Sequence, residues 1–384
     1  MENKNIKNKH YIDTCYKIGI VVTAIFIALF LGGILFLMAG ANPFEAYAVM
    51  FTKPLGNKFG ITEMLVRAAP LMFVGVGISV AFRSGILNIG GEGQIMMGAA
   101  AGIAFTLIFK DLPRELLIPS AFIASFIGGA LWAGIAGYMK AYLQVNEILS
   151  TVMLNYIAAQ IYIFLIRGPL IDPKEIASGT GIAQTELLTQ TAWLGKLVRG
   201  TRLHTGIIIA VVLSVLIYIM LWKTTLGYRL RAVGAEAKAA NYAGMNVKLY
   251  LVMAIMISGG FCGMAGAVEA LGVHHRGLEG LSAGYGFSGI VVALFGGLHP
   301  LGIIPASALF GLLILGADMM QRAVEVPSAI VLVIQGLIIL AIVSTRIFLT
   351  DKNIKEKIIK KFSFQKKNKI ENNIEADTVE TEEV

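Results

Sequence analysis

Residues 82–94 read FRSGILNIGGEGQ and set Arg83, Asn88, Glu92 and Gln94 among Gly85, Gly90, Gly91 and Gly93. The stretch joins two apolar runs, and backbone that leaves the helix at membrane depth is tolerated only where protein or a water-filled path satisfies it. An ionisable residue in such a place is a functional candidate, and broken helices of this kind line transporter pathways. A second reading is a solvated hairpin between two spans, in which Arg83 and Glu92 simply meet water. Asn155 lies inside another apolar run, roughly 10 Å along its helix, with Gln160 deeper. Its amide suits either a polar solute or a hydrogen bond between helices. Asn88, Glu92, Gln94 and Asn155 are the candidate pathway residues.

Other chemistry is missing. The chain has no H-E-x-x-H, no G-x-S-x-G and no G-x-x-x-x-G-K-[ST], so no catalytic residue and no metal ligand set is assigned and the chain does not read as an enzyme. Gly284, Gly286 and Gly289 satisfy G-x-G-x-x-G, but a dinucleotide loop follows a strand and opens a helix in a soluble unit, whereas this one sits at the lip of a short membrane segment. His274 and His275 are neighbours and point about 100° apart on a helix, a poor chelating pair. Cys15 and Cys262 make no disulfide framework.

The elements that must position these residues are apolar helices. Hydrophobic residues make up 56% of the 384 and charged residues 15%, against about 25% charged in a soluble domain, so the chain belongs in a bilayer. A span needs ~20 apolar residues. Ten runs are candidates: 18–40, 64–82, 89–109, 116–138, 148–166, 205–222, 249–273, 285–298, 301–319 and 327–349; 285–298 is too short to span comfortably and could be re-entrant, but dropping it alone would put Lys352 to Lys369 outside, so ten are kept. The first exceeds the ~7 to 15 apolar residues of a cleaved signal and reads as a retained anchor. The expected fold is an all-α polytopic membrane protein of about ten transmembrane helices. Its parts are an N-terminal tail 1–17, a transmembrane domain 18–349 and a tail 350–384 that turns Lys-rich and then acidic, a composition that favours disorder.

Net charge is +8, with Lys and Arg gathered between runs and in the tails and no basic stripe carrying aromatics, which argues for membrane orientation and against nucleic acid. Both termini and the loop 223–248 are basic, and an even number of crossings puts all three on one side, the cytoplasmic one. The longest outside segment, 167–204, is long enough for a short helix of its own and for a soluble partner. Gly259, Gly260, Gly263 and Gly266 permit close helix packing. The cytoplasmic loop reads GYRLRAVGAEAKAANYAGMNVKLY over 227–250. Ala235 to Ala243 predicts a short helix that Gly244 ends. Two or three turns are not stable alone in water, so the helix needs a partner surface, and the small Ala240 and Ala243 would let that surface approach.

These stretches resemble permease subunits of bacterial ATP-driven importers, in the branch grouped with ribose and branched-chain amino-acid permeases and within it the nucleoside-type, lipoprotein-dependent subgroup. The resemblance covers most of the chain from Arg67 to Leu340. It is carried by RAAPLMFVGVGISVAFRSGILNIGGEGQ, NEILSTVMLNYIA with GPLIDP after it, the 227–250 loop, GYGFSGIVVALFGGLHPLG and VIQGLIIL. It implies a translocation path for a small polar solute, nucleosides first, in a bacterial cytoplasmic membrane. It also implies an ATP-binding subunit carrying ATP-Mg, a second permease chain that is a paralogue or another copy, and an extracytoplasmic substrate-binding lipoprotein. This chain itself would hold no cofactor. The family's ATPase-docking loop maps onto Glu236, Ala237, Ala239, Ala240 and Gly244, with Lys238 interrupting the alanines. The alternative is an ion-coupled secondary transporter, whose mark would be carboxylates in mid-span; Glu92, Glu269 and Asp318 come nearest, all close to run ends.

Overall fold

The computed structural model describes residues 29–324 without a break, and residues 23, 26, 27, 333, 336, 337 and 340 beside them. The expected tails 1–17 and 350–384, and nearly all of the 327–349 run, lie outside the described residues. Two compact units divide the chain, Met1–Pro43 with Pro327–Val384 and Phe44–Val326. The first is described chiefly in helix α1 (Leu29–Met38). The second holds α2 (Pro43–Leu55, but for its first residue), α3 (Lys58–Arg83), α4 (Gly91–Ile108), α5 (Arg114–Leu143), α6 (Glu147–Arg167), α7 (Pro173–Ser178), α8 (Gly206–Lys223), α9 (Thr225–Ala235), α10 (Ala237–Tyr242), α11 (Val247–Val268), α12 (Tyr285–Phe295) and α13 (Pro300–Val324).

Among the described residues, seven helices are long and apolar enough to cross a membrane: α3, α4, α5, α6, α8, α13, and α11 extended by a π-helical turn to His274. Ten spans are therefore not found among the described residues. The run 285–298 is the clearest departure, because α12 has only 11 residues, about 16 Å of helix against ~30 Å of hydrocarbon. Left-handed backbone stops it at both ends, at Ala283 and Gly284 before it and at Gly297 and Leu298 after it. Local chemistry sets the other ends. Asn57 accepts the Gly60 N–H at 2.6 Å to start α3, and Asn146 accepts the Ile148 and Leu149 N–H groups to start α6. Gln144, in the left-handed region, turns the chain between α5 and α6.

The core is a pack of α3, α4, α5 and α11, with α6 and α8 largely uncovered at the periphery. Glycines make it close. A Cβ on Gly98 of α4 would strike the backbone of Gly263 on α11, and one on Gly129 of α5 would strike Gly259 and Gly263. Small residues at such crossings let backbones touch where lipid supplies no hydrophobic drive.

Residues 168–205 form one end of this unit. They hold α7, which Asp172 caps through the Lys174 N–H, and they are tied to the segment after α11 by Thr185 N–H to Gly277 C=O at 3.0 Å and by Trp193 stacked on His275 at 4.0 Å. His204, just ahead of α8, is buried; its Nδ1 accepts the Gly206 N–H at 3.2 Å, which puts the ring proton on Nε2, where no acceptor among the described residues meets it. Burial, with His275 nearby, pushes its pKa down from 6.5 to about 4.

The folded chain thus refuses a proton that the unfolded chain binds between pH 6.5 and about 4. Stability is full above that window and falls as pH drops through it, by up to about 3 kcal/mol. Thermal melts in detergent from about pH 7.5 to about pH 4.5 should show the fall, and His204→Gln should flatten it. Equal pH slopes in the two proteins would remove His204 as its cause.

Candidate functional site

The chain breaks its helices twice in the middle of the unit, and the two breaks meet. The first is 84–90. Helix α3 runs 26 residues, about 39 Å, and ends at Arg83, two residues before Gly85, whose φ is 80°. Residues 86–89 are non-helical, and α4 starts only at Gly91. The second break precedes α12, which lies beside the later half of α3: Gly289 abuts Val74 and Gly75, and Arg83 reaches Gly297 and Leu298. The N-termini of α4 and α12 therefore stand together inside the protein, with a Cβ on Gly91 only 3.1 Å from the Gly286 Cα.

Asn88, Glu92, Gln94 and Asn155 converge on this junction, and all four are buried. Asn155 on α6 works as a two-sided clamp: Oδ1 accepts the Gly93 N–H at 2.9 Å and Nδ2 donates to the Ile89 C=O at 3.0 Å. Asn88 and Gln94 exchange a reciprocal pair of amide hydrogen bonds at 2.9 and 2.8 Å. Asn88 also accepts the Gly90 N–H at 2.9 Å and donates to Ser258 Oγ on α11 at 2.9 Å. These bonds do for the broken backbone what water does elsewhere. The reading of Asn155 as an interhelical hydrogen-bonding residue describes its geometry.

Glu92 closes the junction. From the first turn of α4 its Oε1 accepts the Gly286 N–H at 3.1 Å, with Phe287 N–H and the Ser282 side chain as further donors. A carboxylate thus caps the positive N-terminal end of α12 while sitting at that of α4. The solvated-hairpin reading fails for Glu92, which is 6% exposed. Arg83 serves the other end of α12, donating to the Leu298 and Gly297 carbonyls at 2.5 and 3.3 Å while its guanidinium lies 4.7 Å over the Trp222 ring.

Sequence reasoning left the glycine triplet unused and did not find these partners. Gly284 supplies the left-handed turn, Gly286 lets the Glu92 backbone approach, and Gly289 packs against Val74. Those are the mechanical duties of a dinucleotide fingerprint, and the group at the helix N-terminus here is the protein's own Glu92 side chain. Ser258 and Ser282 carry no pattern that would mark them in a sequence.

The second set of candidates stays apart, at the far end of the unit from 168–205. Glu236 breaks the expected 235–243 helix with extended backbone and caps α10 through the Lys238 N–H at 3.2 Å. Gly244, with φ 81°, ends it, and a Cβ there would meet nothing within 4 Å. Glu236, Ala237, Ala239 and Gly244 are exposed, and so is Tyr242, 91% accessible and uncovered by the described residues. Ala240 departs from the expectation. It is the buried residue of α10, so it faces its own chain and offers no surface to a partner. Helix α9 joins α10 to the broken segment, since Gly234 packs directly on the backbone of Arg83 to Gly85.

Comparison with known proteins gives one family. Residues 60–343 match the family described as branched-chain amino acid transport system / permease component. The guanosine ABC transporter permease protein NupP of Bacillus subtilis is 34% identical over 84% of this chain and 92% of its own length. The nucleoside ABC transporter permease protein NupB of Lactococcus lactis is 34% identical over 84% and 90%. The glucose ABC transporter permease protein TsgB13 of Haloferax volcanii is 33% identical over 86% and 88%.

Asn155→Ala should strand the Ile89 carbonyl and the Gly93 N–H, at roughly 1–3 kcal/mol for each buried group left unpaired. Its melting temperature in detergent should drop, and transport with it. Wild-type melting combined with lost transport would show instead that the amide acts on the solute.

Proposed function

Because the chain belongs to the branched-chain amino acid transport system permease family, a multi-pass membrane subunit whose ATP hydrolysis lies on a partner, we propose that it carries nucleosides inward. The observation that carries the substrate reading is similarity at 34% identity, over most of both chains, to permeases named for guanosine and for nucleosides. Glucose is the second reading, favoured by TsgB13 at nearly the same identity. Family membership replaces the ion-coupled alternative, because an ABC permease takes its energy from an ATPase.

The end of the unit carrying α10 would face the cytoplasm. The support is the outer face of α10, where Glu236, Ala237, Ala239 and Gly244 are exposed and Tyr242 is 91% accessible, while Ala240 alone is covered by the chain itself. Charge does not decide the matter among the described residues, since Lys110, Arg114, Lys174, Lys196, Arg199 and Arg202 stand at the opposite end. An ATP-binding subunit carrying ATP-Mg would cover Glu236, Ala237, Ala239, Tyr242 and Gly244. A substrate-binding lipoprotein would meet the 168–205 end, and a second permease chain, paralogous or identical, would complete the pore in the bacterial cytoplasmic membrane. The junction of α4 and α12 would lie along the path, with Asn88, Gln94 and Asn155 as its frame.

Proteoliposomes holding the full complex should take up labelled guanosine in an ATP-dependent manner and should leave glucose outside. Glucose uptake without guanosine uptake would reverse the substrate assignment, and uptake driven by an ion gradient without ATP would end the importer reading. Tyr242→Ala, which removes an exposed ring and no internal contact, should weaken association with the ATP-binding subunit by roughly tenfold. Unchanged association would take α10 out of the docking surface.

A further inference from the structure

We propose that Arg67, Glu269, Tyr285 and Asp318, gathered on the 168–205 side of the α12 break, contact the vicinal hydroxyls of the transported solute. The inference rests on the nucleoside reading and deepens it.

Arg67 of α3 and Asp318 of α13 pair at 2.6 Å between Nη2 and Oδ2, yet their side chains remain 20% and 39% accessible. A carboxylate that open on a spanning helix does not face hydrocarbon; it faces water or a polar partner. Two further polar atoms are unspent. Among the described residues, buried Arg67 Nε meets no acceptor and buried Glu269 Oε1 meets no donor. Folded interiors rarely leave such atoms unmatched, so each calls for an explanation. The π-helical turn explains how Glu269 comes to be there: it brings the residue five positions on to the same side, so that His274 Nε2 stands 3.5 Å from Glu269 Oε2 and only Oε1 is left over. Tyr285 opens α12 and lies within electrostatic reach of Glu269, Arg67 and Asp318, and of Glu63 as well.

The unpaired groups are a buried N–H donor on Arg67 and a buried acceptor on Glu269, and the Tyr285 phenol beside them both donates and accepts. Adjacent sugar hydroxyls, each able to donate and accept, match that alternation. The charge balance selects further. Glu63 pairs with Arg202 and Arg67 with Asp318, which leaves Glu269 in excess whenever His274 is neutral. An anionic phosphate is repelled there, and a neutral vicinal diol, the ribose of a ribonucleoside, is accepted.

Tyr285→Phe and Glu269→Gln test this with little disturbance, since the first removes only a hydroxyl and the second keeps the shape of the side chain. The measurement is ATP-dependent uptake of guanosine against 2′,3′-dideoxyguanosine by the complete complex in proteoliposomes, with the binding lipoprotein held constant so that any change arises in the permease. Wild type should prefer guanosine, and each variant should lower the guanosine to dideoxyguanosine ratio about fivefold or more. A purely structural role would reduce both solutes together and leave the ratio unchanged, which would overturn the proposal. A wild-type complex that takes up no nucleoside overturns the nucleoside reading together with the site; an unchanged ratio overturns the site alone.

Discussion

Every backbone N–H and C=O inside a bilayer needs a partner within the protein, and this chain gives up helical partners at two places in its interior. The architecture around those places answers that need. Asn155 replaces the bonds that 86–89 cannot make by itself, Asn88 and Gln94 bond one another, and Glu92 lends an acceptor to the first N–H groups of α12. Without these side chains, helices α4 and α12 would end in open amides surrounded by apolar core. Their strict mutual satisfaction also holds four elements, α4, α6, α11 and α12, at one point.

The junction is continuous with the end that carries α10. Gly234 on α9 rests on the backbone at Arg83 to Gly85, the start of the non-helical leg, and Arg83 in turn closes the last carbonyls of α12. Trp222 at the end of α8 lies under both Arg83 and Arg231, at 4.7 and 5.5 Å. A displacement of α9 therefore presses on the 83–85 backbone directly and reaches the end of α12 through the Arg83 side chain. Two discrete arrangements of such a packed junction are what alternating access requires.

The candidate site was legible to the extent that its residues break a local rule. Asn88, Glu92 and Gln94 stand out because polar groups and glycines interrupt an apolar stretch, and Asn155 because an amide lies deep in a run. Their roles were not legible. Whether an amide binds solute, water or backbone depends on which carbonyl lies 3 Å away, and Ile89 is 66 positions from Asn155. The α10 loop shows the same division: its capping residue and terminal glycine follow from residue type, whereas the inward turn of Ala240 follows from packing against the rest of the chain.

Composition and apolar periodicity determined the membrane class, the all-helical fold and the positions of seven long helices, because each span must satisfy its own backbone and therefore writes its length into its own residues. The motif order determined the family. The shortness of 285–298 was legible in its length, but tertiary structure decided how it survives at membrane depth, since a short helix is viable there only when another element, here Glu92, completes its end. It also decided that Arg67 and Asp318, 251 positions apart, form one pair, and that a π-helical turn leaves a Glu269 oxygen unspent beside Tyr285. Such pairings belong to the packing of several helices at once, and no local pattern encodes them.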